Sequence, residues 1–185
     1  MHFFHDFYVQ PMNNVYLEMA AMYLILLIVM LVLHKTPQKI LSAVCCALSV
    51  GVILLFTVFN RSGGNHDISL IPFITFTQIK TQPEFYRTLF MNVFLFVPFG
   101  LCAPFALPDK ARKKVVITVL SGLLLSVCVE AAQFAFAIGR CETDDVLMNT
   151  LGALVGATAF LLYSGIKKLI NKRRNNKWKH IRHNY

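Results

Sequence analysis

The residues able to do chemistry in this sequence sit where an apolar chain should exclude them. Glu130 lies within the apolar run 115–137, and Gln133 follows three residues later, on the same face of a helix. Asn92 falls early in a second apolar run and Asn149 early in a third. A polar loop, Gly139-Arg140-Cys141-Glu142-Thr143-Asp144-Asp145, adds one cation and three carboxylates. Carboxylates, amides and an arginine suit two kinds of work. They can grip a polar or phosphorylated molecule through charge-assisted hydrogen bonds, or they can run acid and base catalysis on an ester or phosphoryl bond. His66 would be the accessible base of the second scheme. The sequence holds no HExxH, no Gly-rich phosphate loop, no GxSxG and no cysteine pair at zinc spacing, so no metal and no cofactor is implied.

Composition decides what must position these groups. The chain has 185 residues, 56% of them hydrophobic and 15% charged, with a mean hydropathy of +0.58. Soluble domains carry roughly a quarter charged residues, and a chain this short cannot bury so much apolar surface in a core of its own. A membrane is the expected solvent, and a large extramembrane enzyme domain is excluded. Five cysteines form no disulfide framework, since Cys45, Cys46, Cys102 and Cys128 lie in apolar runs and only Cys141 in a polar loop. No Lys or Arg precedes the first apolar run, so a cleaved signal peptide is not expected.

Apolar runs at 15–33, 40–59, 89–107, 115–137 and 147–166 predict five membrane-spanning helices. Pro98 and Pro104 interrupt the third, which must therefore pack against neighbours able to satisfy the freed backbone groups. The positive-inside rule sets the orientation. With the N-terminus outside, the inner side receives two lysines after the first run, four basic residues after the third span's end and eight in the tail. That makes fourteen, against Arg61, Lys80, Arg87 and Arg140 outside. The net charge of +9 is then mostly a topology signal. The C-terminus is cytoplasmic, and the basic tail 165–185 meets anionic headgroups rather than nucleic acid.

The outside segment between Arg61 and Thr88 contains an apolar stretch, 68–76, too short to span. It is expected to be an interfacial or re-entrant loop between helices 2 and 3, with Phe73, Phe76, Phe85 and Tyr86 at the lipid boundary. Counted at about 1.5 Å per residue from Val115, Glu130 stands about 22 Å up its helix, in the outer half of the bilayer. Gln133, Asn92 and Asn149 reach the same level, beneath the loop bearing Arg140, Asp144 and Asp145. The expectation is an outward-facing polar pocket. Other readings stay open: the asparagines suit hydrogen bonds between helices, Asp144 or Asp145 suits an N-cap of the last helix, and Arg140 suits simple neutralisation. An intramembrane glutamate points to function by default. Gly152 and Gly156 form a small-xxx-small face for close helix packing, and Pro98 and Gly100 shape the third helix.

Two segments carry a family resemblance. Residues Asn92, Phe96, Pro98 and Gly100 form an N-x-x-x-F-x-P-x-G block, and Glu130, Gln133, Gly139-Arg140, Asp144-Asp145, Asn149, Gly152 and Gly156 form an E-x-x-Q…G-R…D-D-x-x-x-N-x-x-G-x-x-x-G pattern. Both resemble the blocks of VanZ-like proteins, and Ile71-Pro72-Phe73 is similar to a third block. Ser69 stands where that family often has asparagine. The resemblance implies a multi-pass protein of a bacterial cell membrane, with two N-terminal spans (1–60), a VanZ-like core (61–164) and the basic tail (165–185). It further implies action on a cell-envelope precursor or lipid, with tolerance to teicoplanin-type glycopeptides as the namesake activity. The alternative class is a membrane-embedded hydrolase of a lipid-linked phosphate or ester.

Overall fold

The computed structural model describes residues 37–59, 66–78, 84–108 and 111–183, together with eight residues between 17 and 28. Those eight are helical and belong to the first apolar run; the rest of that run, and the polar residues Arg61 to Asn65 ahead of the 66–78 segment, lie outside the described residues. Long Leu-, Val- and Phe-rich runs become helices because only a helix pairs all its own backbone groups within one segment when water is absent. Helix α1 (Gln38–Leu54) starts directly after Pro37 and loosens at its far end into a π-helical turn, Leu55–Phe59. There follow β1 (Ile68–Ser69), a short α2 (Ile74–Gln78), α3 (Glu84–Ala106), α4 (Ala111–Ala135), β2 (Cys141–Glu142) and α5 (Thr143–His183).

Four helices among the described residues are long and apolar enough to cross a membrane: Gln38–Phe59, Thr88–Ala106, Lys113–Ala135 and Thr143–Arg174. Their outer surface is apolar, with Leu120, Leu124 and Leu162 more than half exposed, while Ser49, Ser126 and Asn149 are buried. That is the inverse of a soluble domain and suits a lipid solvent.

Glycine sets the packing. A Cβ on Gly152 would drive into the Val93 carbonyl, one on Gly156 into the Val97 carbonyl, and one on Gly100 into that of Ala153. Helices α3 and α5 therefore run parallel with their backbones touching along this seam. Helix α4 lies antiparallel to α5, with Gly122 against the Ala153 methyl. Helix α1 is antiparallel to α3, to which Ser42 near its start donates a hydrogen bond at the Cys102 carbonyl. Phe96, Phe99, Ile53 and Val129 fill the space between them.

The prolines of α3 are accommodated as lipid requires. Pro98 and Pro104 lie within the helix, both turned inward. Pro98 has no N–H for the carbonyl of Phe94, four residues earlier. The Tyr23 hydroxyl, from the first apolar run, donates to that carbonyl at 2.7 Å.

The structure adds two features to the sequence expectation. Strands β1 and β2 pair in parallel over two residues each, Ile68 with Cys141 and Ser69 with Glu142, so the two connecting segments are knitted into one cap. Residues 165–183 of the tail are not a separate element: α5 continues unbroken to His183, 41 residues in all, about 60 Å against a hydrocarbon core of about 30 Å.

Candidate functional site

One end of the bundle gathers the π turn of α1, the end of α4, the start of α5 and the β1–β2 cap. Its carboxylates are buried: Glu130 is 3% exposed, Asp144 1% and Asp145 6%. Such groups need donors, since an unsatisfied charge in a low dielectric is expensive. Asp144 finds them in the loop. Its Oδ1 accepts the Phe73 N–H at 2.6 Å and its Oδ2 the Thr75 N–H at 2.9 Å. Phe73 has φ 63°, in the left-handed region that a residue with a side chain adopts at a cost. The aspartate thus holds the Pro72-Phe73 turn in shape and caps α2, an element far from it in sequence. Asp144 and Asp145 also occupy the first turn of α5, where the helix dipole favours negative charge.

Glu130 performs the matching task for the other segment. Its Oε2 accepts the Glu142 N–H at 2.9 Å, tying α4 to β2. Arg140 is half exposed, and its Nη1 lies 3.5 Å from the Glu142 carboxylate. Cys141 sits among these acids: burial first, then the charges of Glu130, Asp145 and Glu142, push its thiol above its ordinary pKa. His66 meets the end of α4, its Nδ1 2.8 Å from the Phe134 carbonyl and its ring edge-on to Phe134 at 5.4 Å. That contact requires a proton on Nδ1, because a carbonyl only accepts.

The amides occupy the layer beneath. Gln133 Nε2 donates to the Thr57 carbonyl at 2.9 Å, in the last turn of the first described span, where helical carbonyls lack an internal donor. Asn149 Nδ2 donates to the Ser126 hydroxyl at 2.9 Å. Asn92 is buried on α3 beside the Val93 carbonyl that Gly152 touches. Three buried amide atoms have no hydrogen-bond partner among the described residues: Asn92 Nδ2, Gln133 Oε1 and Asn149 Oδ1. The Thr118 hydroxyl, two turns below Ser126, is a fourth such group. Each unmet group costs about 1–3 kcal/mol unless something else meets it.

Sequence reasoning missed Ser126 and Thr118, both buried. The signal was spacing. Thr118, Ser126, Glu130 and Gln133 recur at intervals of eight, four and three, which places them on one face of α4. Glu142 was read only as one of the loop's acids, although it is the partner of Arg140 and supplies the N–H that Glu130 accepts. Gly100, Gly152 and Gly156 form the α3–α5 seam directly below the polar layer, and Pro98 is buried on α3 two residues before Gly100. Among the described residues no group of three or more His, Cys, Asp or Glu is placed to hold a metal ion.

With this geometry in hand, the comparisons with known proteins are specific. The family model VanZ/LLP1 matches residues 20–164, most of the chain, beginning within the first apolar run. Protein VanZ of Enterococcus faecium is 32% identical over 156 residues, covering 84% of this chain and 78% of that protein. No solved structure matches the chain significantly.

Proposed function

Because this chain belongs to the VanZ family, we propose that it is a multi-pass protein of a bacterial cell membrane whose polar end faces outward and recognises or alters a cell-envelope component, giving tolerance to teicoplanin-type glycopeptides. In this reading five helices cross the membrane, the N-terminus is outside and the C-terminus cytoplasmic. The fourteen-to-four division of Lys and Arg supports the orientation. The Tyr23 contact to α3 supports a fifth span alongside the four. The exposed side chains of Leu70, Ile71 and Phe73 support a loop that rests on lipid at the rim of the polar end.

One observation carries the reading: Asn92, Gln133 and Asn149, from three different helices, each keep a buried amide atom without a partner among the described residues. A ligand with both donors and acceptors, such as an amide or a polyol, would meet them. Glu130 and Asp145 would form the acidic wall, and Arg140 would meet an anionic group of the ligand. Binding is favoured over hydrolysis because Glu130 and Asp144 already accept backbone N–H groups, which holds them as fixed acceptors rather than proton carriers.

The test compares the wild type, Asn92→Leu and Glu130→Gln in a teicoplanin-susceptible host. Asn92→Leu removes an amide whose Nδ2 has no partner among the described residues, and membrane abundance measured beside tolerance checks that the variant folds. Both variants should lose tolerance, at least fourfold in inhibitory concentration, at equal membrane abundance. Wild-type tolerance in both would reject the polar layer as the working site.

A further inference from the structure

The end of the bundle remote from the acidic cap carries groups that the proposed function leaves unused. Phe105, at the end of α3, stands edge-on to Phe160 at 4.7 Å and to Tyr163 at 5.6 Å, both on α5. Two ammonium groups rest on this aromatic floor. Lys114 Nζ of α4 lies 5.9 Å from the Phe160 centroid, and Lys167 Nζ of α5 lies 5.7 Å from that of Tyr163. The rings and lysines line a cleft of about 280 Å³, completed by Ser164 and by Gln38 of α1.

A ring face attracts an ammonium but takes none of its N–H groups as a strong acceptor would, so both lysines retain donors. Two like charges on one cleft repel each other and together favour an anion between them. Among the described residues every acidic residue belongs to the other end of the bundle: Asp67, Glu84, Glu130, Glu142, Asp144 and Asp145. Asp109, between α3 and α4, lies outside the described residues.

We propose that this cleft seats the phosphodiester of an anionic phospholipid, its charge held between Lys114 and Lys167, with Ser164 and Gln38 donating to its remaining oxygens and the Phe105 ring against its first methylenes. The chemistry shared with free phosphate is an anionic phosphoryl group. Three observations favour the lipid. The cleft lies where α3 ends and α4 begins, at headgroup depth on a spanning bundle. Aromatic walls, Tyr163 half exposed and Phe160 buried, suit a headgroup joined to acyl chains, whereas free phosphate is better served by backbone N–H groups or arginine forks. The volume falls just below the ~300–1,000 Å³ of sites that enclose whole small molecules. Basic pockets between helices near a membrane face hold lipid headgroups in this way. The site differs from diffuse attraction to the tail, because it is built from four helices and must saturate.

The experiment uses the full chain purified in an uncharged detergent, with thermal unfolding followed as ligand is titrated. Dioctanoyl phosphatidylglycerol should stabilise it saturably, at a half-saturating concentration at least fivefold below that of dioctanoyl phosphatidylcholine, while inorganic phosphate at equal concentration gives no shift. Lys114→Gln and Lys167→Gln should each raise the phosphatidylglycerol midpoint about fivefold. Lys114→Arg and Lys167→Arg should stay within twofold of wild type, as should a tail variant with Lys172, Arg173 and Arg174 all changed to Gln. Lys167 is exposed, so its Gln variant folds and remains informative if the Lys114 variant does not. Equal stabilisation by the two lipids, an equal shift from inorganic phosphate, or an unchanged midpoint in Lys167→Gln would each overturn the proposal. None of these outcomes depends on which end of the bundle faces outward, so failure here leaves the glycopeptide test intact.

Discussion

Asp144 and Lys167 belong to the same helix, yet they carry charge under opposite terms. Asp144 is 1% exposed, and both its oxygens are occupied by backbone N–H groups of the Phe73 turn. Lys167 is exposed and lies over the Tyr163 ring. A short carboxylate cannot reach out of a low dielectric, so it must be given donors and becomes a structural rivet. A long ammonium side chain can lay its methylenes on apolar surface and keep its head wet, so it remains available to a partner. The acidic end therefore uses charge to shape backbone, and the lysine end displays it. A buried intramembrane acid is not by itself evidence of catalysis; what its oxygens already accept decides how much of it is left for a ligand.

The seam that holds the two ends in register is the first place to break this comparison. Gly152→Val would force a side chain into the Val93 carbonyl and should abolish the folded protein, seen as loss of a cooperative thermal transition. Gly165→Val, where nothing lies within 4 Å of an added Cβ, should stay within about 0.5 kcal/mol of wild type. The rivet is the next test. Asp144→Ala removes two charge-assisted bonds and should cost about 3 kcal/mol, with faster proteolytic nicking of the 66–78 segment. Lys167→Ala in lipid-free detergent should cost about 0.5 kcal/mol or less, as exposed charges do. Comparable losses would erase the contrast.

The remaining predictions sharpen the acidic end. The Cys141 thiol is raised by burial and by three neighbouring carboxylates, so it holds its proton to higher pH than a free cysteine. Its alkylation by iodoacetamide, read by peptide mass, should therefore rise with pH at a midpoint above that of a free thiol, and Glu142→Gln should move that midpoint down. A midpoint that Glu142→Gln leaves in place would mean the acids do not act on it. The one stabilising change belongs to the cap of α4. Ala137 has φ 49°, and its N–H and that of Ile138 bond back to the Phe134 and Gln133 carbonyls, a Schellman-type ending. Ala137→Gly should stabilise by about 0.5–1 kcal/mol in a thermal melt, since glycine takes this conformation freely.

Much was legible in the residues alone. Hydropathy alone marked every helix later found able to span, because the need to pair backbone groups in lipid leaves little else for a long apolar run to become. The pair Gly152 and Gly156 announced a close helix contact, since only small residues let two backbones touch. The polar residues Asn92, Glu130, Gln133, Asp144, Asp145 and Asn149, all buried, stood out in the sequence because lipid makes each of them costly.

Their partners were not recognisable. That Asp144 closes on Phe73 and Thr75, that Glu130 takes the Glu142 N–H, and that Tyr23 answers the carbonyl freed by Pro98 are contacts between residues brought together only by folding, up to 71 positions apart. The periodicity of one helix says which face is polar, not what the facing helix presents. The two-residue β1–β2 pairing is too short to leave any alternating pattern. The lysine cleft shows the same division. Lys114 and Lys167 were counted for topology from their charge, whereas their meeting over one aromatic floor follows from the antiparallel packing of α4 on α5. Solvent preference is a property of each residue and is written in the chain; complementarity is a property of pairs, and only the packed bundle decides it.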